Sequence, residues 1–506
     1  MTAWRGLAAL LLALATMGQA RAEWMQASSP HFVIYADSSA SAIQRFSQEL
    51  ERYHSAMAKV TNRDMPPPSP SNRVTIYVVG SEAEVRRLYG ENARNVGGFY
   101  VARAGGSLAV VPRIGGGGRE PDFATITLLH EYAHHFMLSS AAFGMPRWYS
   151  EGGAEFFASS SFGSDGGVTM GKPAGHRAAE LAFAPDVTVT QLLDPASYRP
   201  KPGVGRDAFY GKSWLLFHYL TFEPARRGQM QAYLRGLTAG KSQKDAAAEA
   251  FGDFRRLEGE LERYWQRPRM LAFILPGAMI QPGATTLRKL EPGEAAVMPL
   301  VIRSRRGVTP EQAMALLPEV RAVAARFPAD AAVLSALAEA ENDAGNPGEA
   351  VAAADRALAI DRNQVNAYIQ KGLALFGQAN QSADPALMRR ARQPFLALNR
   401  IENDHPAPLL FNYLTQRGSP DKMPESAVLG LERASQLAPF DLNLRMMVAQ
   451  RQIADGLKEA ARQNLLPVAY NPHGGPLASE AQRLLGQLGG ALEEAGEEAE
   501  TTAAVP

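Results

Sequence analysis

The sequence has no cysteine among its 506 residues. Disulfides, thiolate nucleophiles and thiolate-bound metal are thereby all excluded. It also has no excess of charge, with 52 Lys and Arg against 51 Asp and Glu. Nothing in that balance suggests a nucleic-acid footprint or a strongly acidic substrate. Beyond the first residues no apolar run reaches the ~20 residues that a bilayer crossing needs. Any metal must therefore be held by His, Asp or Glu. The length suits two or three domains, and 46% hydrophobic with 20% charged residues describes a globular chain.

Met1 to Ala22 reads as a secretory signal peptide: Arg5, an apolar run from Gly6 to Gly18, and a small-x-small end at Ala20-Arg21-Ala22. Cleavage there implies an exported protein, periplasmic or secreted. Residues 23–276 alternate between strand and helix patterns. Phe32–Tyr35, Val74–Val79 and Ser107–Pro112 are β-branched, strand-like runs. Helical spacing covers Ala40–Val60, Asp122–Leu138, a stretch from Glu151, Gly211–Leu220, Gln229–Leu237 and Asp245–Trp265. Gly115–Gly118 lacks the Lys-Ser/Thr of a phosphate-binding loop and is expected to be a hinge or flap. Residues 277–307 read as a Gly- and Pro-containing connector, with a strand suggested over Val297–Ile302. Residues 308–490 are Ala- and Leu-rich and repeat in tetratricopeptide phase. Ala350, Ala357 and Arg362 mark one unit, Tyr368 and Gly372 open the next, and Ala427, Ala434, Pro439, Ala460 and Pro472 keep the phase. Around Asp384–His405 the phase slips. Residues 491–506 form an acidic, solvated tail.

The chemistry concentrates in His130-Glu131-Tyr132-Ala133-His134. On a helix, positions i and i+4 lie one above the other, so both imidazoles can meet one ion. Glu131 stands beside them, where it can take a proton from a water activated there. Such a pattern arises by chance in roughly one of a hundred chains of this composition, so context has to support it. His135, at i+5, points elsewhere and reads as a polar neighbour or core histidine. Trp148-Tyr-Ser-Glu151-Gly-Gly-Ala-Glu155 follows after a span long enough for a turn and an antiparallel return. Glu151 is a candidate third ligand, completing a two-His, one-Glu set with an open fourth position. Glu155, one turn on, is placed to accept from the outer N–H of a ligating imidazole.

Together HEYAH and WYSEGGAE resemble the gluzincin peptidases, most closely their peptidase-MA-like bacterial branch, in which an exported zinc domain is often joined to helical repeats. The resemblance implies an α+β zincin-type catalytic domain, with a small mixed sheet and active-site helices, followed by an all-α helical-repeat domain. It also implies one zinc ion per chain and Glu151 rather than Glu155 as third ligand. Tyr210, in Phe209-Tyr-Gly-Lys-Ser213, is similar to a tyrosine that stabilises the tetrahedral intermediate in related aminopeptidases. His218 reads as a surface or core histidine.

Two departures stand out. Asn95 to Val111 carries no acid that could hold a substrate α-amine, which argues for an endopeptidase. Ser150 stands where many relatives have Asn. The expected activity is zinc-assisted peptide-bond hydrolysis on a peptide or protein substrate. Ser107–Pro112 would pair with the extended chain, and the repeats would hold the substrate or a protein partner. The alternative is a non-catalytic envelope scaffold whose repeats bind partners and whose metal site is vestigial.

Overall fold

The structure is a computed structural model that describes residues 23–489, apart from 64, 91–95, 114–119, 141–142, 200–206, 383, 418–422 and 472–473. The expected signal peptide, the Gly115–Gly118 loop, Asn95, Pro472 and the acidic tail lie outside the described residues.

Strands β1 (Trp24–Ser28), β2 (Phe32–Asp37), β3 (Val74–Val79), β4 (Phe99–Val101) and β5 (Leu108–Pro112) belong to the main sheet. β6 (Ser161–Phe162), β7 (Val168–Met170) and β8 (Phe273–Leu275) form a small second one, and β9 (Thr286–Lys289) returns to the first. The main sheet is mixed, in the order β4-β5-β3-β2-β1-β9, with β2, β3 and β5 parallel. Its central strands are apolar on both sides because both faces are buried. Ile34, Ile76, Val78, Ala109 and Val111 face the larger core. Tyr77, Val79, Leu108 and Val110 face another.

Among the described residues these helices accompany the strands: α1 (Ala40–Thr61), α2 (Glu82–Tyr89), α3 (Phe123–Ser140), α4 (Arg147–Ala158), α5 (Ala178–Phe183), α6 (Val189–Leu193), α7 (Phe209–Phe222), α8 (Gln229–Thr238), α9 (Gln243–Phe251) and α10 (Phe254–Trp265). α1 shows how local sequence sets an element. Ser39 caps it by accepting from the Ala42 N–H, and Ile43, Phe46, Leu50, Tyr53 and Met57 line one buried stripe. The single helix expected over Asp245–Trp265 is two helices. Gly252 ends the first at φ 78°, and Asp253 caps the second by accepting from the Arg256 N–H.

Further described helices make up an array: α11 (Pro292–Arg305), α12 (Pro310–Arg326), α13 (Ala331–Asp343), α14 (Pro347–Ile360), α15 (Val365–Ser382), α16 (Pro385–Ile401), α17 (Pro406–Leu414), α18 (Glu425–Leu437), α19 (Leu442–Ala454), α20 (Lys458–Ala469) and α21 (Pro476–Gln487). From the start of α13 to that of α15 is 34 residues, and from α19 to α21 is 34 again. Between them the spacings are 41 and 36, the longer one because α15 and α16 run to 18 and 17 residues. This accounts for the phase slip at Asp384–His405. The chain is thus a tetratricopeptide-like helical-repeat array preceded by a unit built on a mixed sheet. Ala350, Ala357, Ala427 and Ala434 are fully buried at helix contacts. At Gly372 a Cβ would stand 2.3 Å from the Phe395 ring, so only glycine allows that approach. No described helix is long and apolar enough to cross a membrane.

The strand expected over Val297–Ile302 is instead part of α11. Pro292 opens that helix, and Val297, Leu300, Val301 and Ile302 are buried in the core shared with the sheet. A short apolar run carries no helix-or-strand signal of its own, and packing decided it. Residues 277–307 also contribute β9, paired with β1.

The array covers the sheet's second face. Leu316, Val320, Val333, Leu334 and Leu337 share a core with Tyr77, Val79, Leu108 and Val110. Further along, the turns between repeats meet the first unit one after another. Glu402 accepts from the N–H and hydroxyl of Ser71 at 2.9 and 2.8 Å. Asp441 accepts from the Ala104 N–H at 2.9 Å. Phe440 lies 4.3 Å, ring to ring, from His135.

Candidate metal centre and cleft

α3 and α4 bring the two sequence motifs together. Asp122 opens α3 by accepting from the Thr125 N–H, and Leu128, Leu129, Ala133 and Phe136 anchor it to the core. α4 lies close to both α3 and α7. A Cβ on Gly152 would stand 2.4 Å from the Ser213 carbonyl oxygen, and one on Gly153 2.9 Å from the Met137 methyl. The paired glycines after Glu151 therefore set how closely α4 approaches its neighbours.

Three donor atoms converge. His130 Nε2 and His134 Nε2 are 3.1 Å apart, and each lies 3.4 Å from Glu151 Oε2. Four ligands placed tetrahedrally at about 2.0–2.1 Å from a central ion stand about 3.3–3.4 Å from one another, so the triangle has the size of one face of such a set. Glu151 is fully buried, and neither of its carboxylate oxygens accepts a hydrogen bond. Such a carboxylate needs a cation beside it. Burial alone would raise its pKa, yet His134 and His130 hold it well below the usual carboxylate range. Burial alone would lower His130, but Glu155 and Glu151 push it up to about 10. The field favours a cation at the imidazoles, whether proton or metal ion. By number and type of donor these three residues could hold a divalent ion.

The outer imidazole nitrogens are both occupied. His130 Nδ1 lies 3.1 Å from Glu155 Oε1, and His134 Nδ1 lies 3.1 Å from Ser150 Oγ. Glu155 is itself gripped by His176 Nε2 and Arg177 Nη2, each at 2.5 Å. Sequence reasoning does not find His176 and Arg177. They sit in a short 3-10 turn with no motif around them, and only the fold returns them to α4. Ser150 stands out in the sequence only as a departure from the motif that it resembles.

Glu131, next in sequence to His130, lines a shallow cleft with Phe99, Tyr100, Thr127 and Leu128, and makes no hydrogen bond or ion pair among the described residues. The cleft borders β4, which among the described residues pairs only with β5. The edge expected at Ser107–Pro112 is not free, because β5 is paired on one side with β3 and on the other with β4. β4 and β9 are the edge strands, and β4 is the one beside the cleft.

Tyr210 stands at the start of α7 with the Arg177 guanidinium 4.8 Å from its ring centre. His135 and His218 are both satisfied. His135 bonds the Tyr100 hydroxyl at 2.6 Å. His218 is fully buried among Tyr264 Oη and the carbonyls of Gly171 and Leu271, at 2.8, 3.0 and 3.1 Å.

No family model and no curated protein matches the chain. Among similar solved structures is a thermophilic TPR protein of Thermus thermophilus, 16% identical, covering 35% of this chain and 91% of that one, with TM-score 0.30. Another is MamA of Desulfovibrio magneticus, 16% identical, covering 38% and 97%, with TM-score 0.28. At these scores neither adds to the description of the array, which rests on helix lengths and spacing.

Proposed function

We propose that the chain is an exported, zinc-dependent peptide-bond hydrolase carried on a helical-repeat scaffold. One zinc ion would be held by His130, His134 and Glu151. The observation behind this reading is the buried donor triangle, with Glu131 next in sequence to a ligand, unpaired, and facing a cleft beside an open strand edge. A bound zinc would supply Lewis acidity towards a carbonyl and acidify a water. The chain's own groups supply the rest. Edge pairing at β4 would align an extended peptide. Glu131 would take the proton of the attacking water and pass it to the leaving amine. The Tyr210 hydroxyl would donate to the oxyanion. Glu155 and Ser150 would hold the imidazoles in their ligating orientation.

A second reading is an envelope scaffold whose repeats bind a protein partner and whose metal site is vestigial. The extent of the array, α11 to α21, favours it. The two readings part at Glu131, which a purely structural site would not need.

Elemental analysis of the mature protein, with hydrolysis of a mixed peptide library by wild type and Glu131→Gln, tests the proposal. Stoichiometric zinc is expected in both, with hydrolysis lower by about 10²–10⁴-fold in the variant. Zinc-loaded wild type that cleaves nothing would leave the scaffold.

A further inference from the structure

We propose that Arg147 is a substrate-anchoring residue that binds a carboxylate of the peptide beside the scissile bond. This rests on the hydrolase reading above and specifies its substrate class. Arg147 is the first residue of α4, four positions before Glu151. The two side chains therefore leave the helix on one face, with Cβ atoms about 5–6 Å apart. The guanidinium lies on an aromatic shelf, 4.3 Å from the centre of the Phe209 ring and 5.9 Å from that of Tyr198. Its Nε is buried without a hydrogen-bond partner. Among the described residues no carboxylate forms an ion pair with it.

Arg177, which packs over the Tyr210 ring, is the contrast. Its Nη2 and Nη1 reach Glu155 and Glu180 at 2.5 and 3.1 Å, so its charge is spent within the protein. The hydroxyls of Tyr210 and Tyr198 reach the Arg147 guanidinium, but neither carries a charge to offset it. A half-buried guanidinium without a carboxylate partner is costly unless something else supplies one. Its planar fork matches a carboxylate through two parallel N–H···O bonds. Burial tends to lower the Arg147 pKa, but Tyr210 and Glu151 raise it, so the charge is kept. Tyr210 contacts both arginines, and Arg177 leads through Glu155 to His130. With Arg147 one helical turn before Glu151, a carboxylate held by it would lie within a residue or so of the donor triangle.

That carboxylate could be the peptide's own C-terminus or an Asp or Glu side chain. Both are tested with zinc-loaded full-length protein and three N-acetylated peptides of one sequence. One ends in a free acid, one in an amide, and one in an amide with Asp at the last position. Wild type is expected to favour one carboxylate peptide over the plain amide by about 10–100-fold in kcat/KM, the worth of a charged hydrogen-bond pair. The preferred peptide identifies the source. In Arg147→Gln the ratio should collapse towards one, with zinc content retained, and Arg147→Lys should restore part of it. Calorimetric binding of the same peptides to zinc-loaded Glu131→Gln reads the preference without turnover. Equal handling of all three peptides by wild type would overturn the inference while leaving the hydrolase reading intact. So would a preference that survives in Arg147→Gln. Absence of any hydrolysis, with the carboxylate preference still present in binding, would instead overturn the hydrolase reading.

Discussion

Glu155 Oε1 lies 3.1 Å from His130 Nδ1, so one helix, α4, carries both the carboxylate that faces the inner nitrogens and the one that holds an outer nitrogen. A turn of helix separates them, and the imidazole is fixed from two sides.

Glu155→Gln should therefore weaken zinc binding without removing a ligand. Loss of such an outer partner typically costs about 10–100-fold in affinity. Competition with a chromophoric chelator measures it. Affinity equal to wild type would make the contact incidental.

Tyr210→Phe should lower kcat with little change in KM. The hydrogen bond it removes would form mainly in the transition state. The ring's packing under Arg177 is retained in the variant. Unchanged turnover would assign Tyr210 to packing alone.

Acid should destabilise the fold through its buried neutral histidines. Burial and the neighbouring His31 lower His54 and His135 to about 3, and burial lowers His218 to about 4. These values lie below the ordinary 6.5, so the unfolded chain binds these protons first. Their contribution is full above about pH 6.5 and is lost as pH falls towards about 4 and 3. Each such group gives about 1.4 kcal/mol per pH unit in that window. Denaturant unfolding at about pH 7.5, 6 and 5 checks the slope, and His218→Gln should reduce it by about 1.4 kcal/mol per pH unit.

The full chain should unfold in one cooperative transition, and residues 23–276 alone should not fold stably. Cutting there removes β9 from the sheet and uncovers Tyr77, Val79, Leu108 and Val110. Calorimetry on the whole chain and solubility of the fragment decide it. A soluble, cooperatively folding fragment would show that the array is an independent cover.

Much of this is legible in the residues themselves. The i, i+4 spacing of His130 and His134 needs only a helix, and apolar periodicity around it supplies one. The recurring seven-residue spacing of Ala350 with Ala357 and of Ala427 with Ala434 comes from small residues wherever helices touch, which is a local requirement. Ser39 and Asp122 announce α1 and α3 by capping chemistry that operates within a single turn.

Other features depend on pairings between distant segments. Val297–Ile302 is equally apolar as strand or helix, and becomes helix because α11 packs where the array meets the sheet. Which strand carries the open edge is undecidable until β4 closes over β5. His176 and Arg177 acquire a role only because the chain returns to Glu155 some twenty residues on. The donor types, their helical spacing and the repeat period could be read directly from the residues, because each depends on neighbours within a few turns. How closely α4 approaches α3, which imidazole nitrogen faces which carboxylate, and the closing of the sheet by the array emerge only in the folded chain. Those outcomes depend on packing between segments far apart in sequence, which no local pattern encodes.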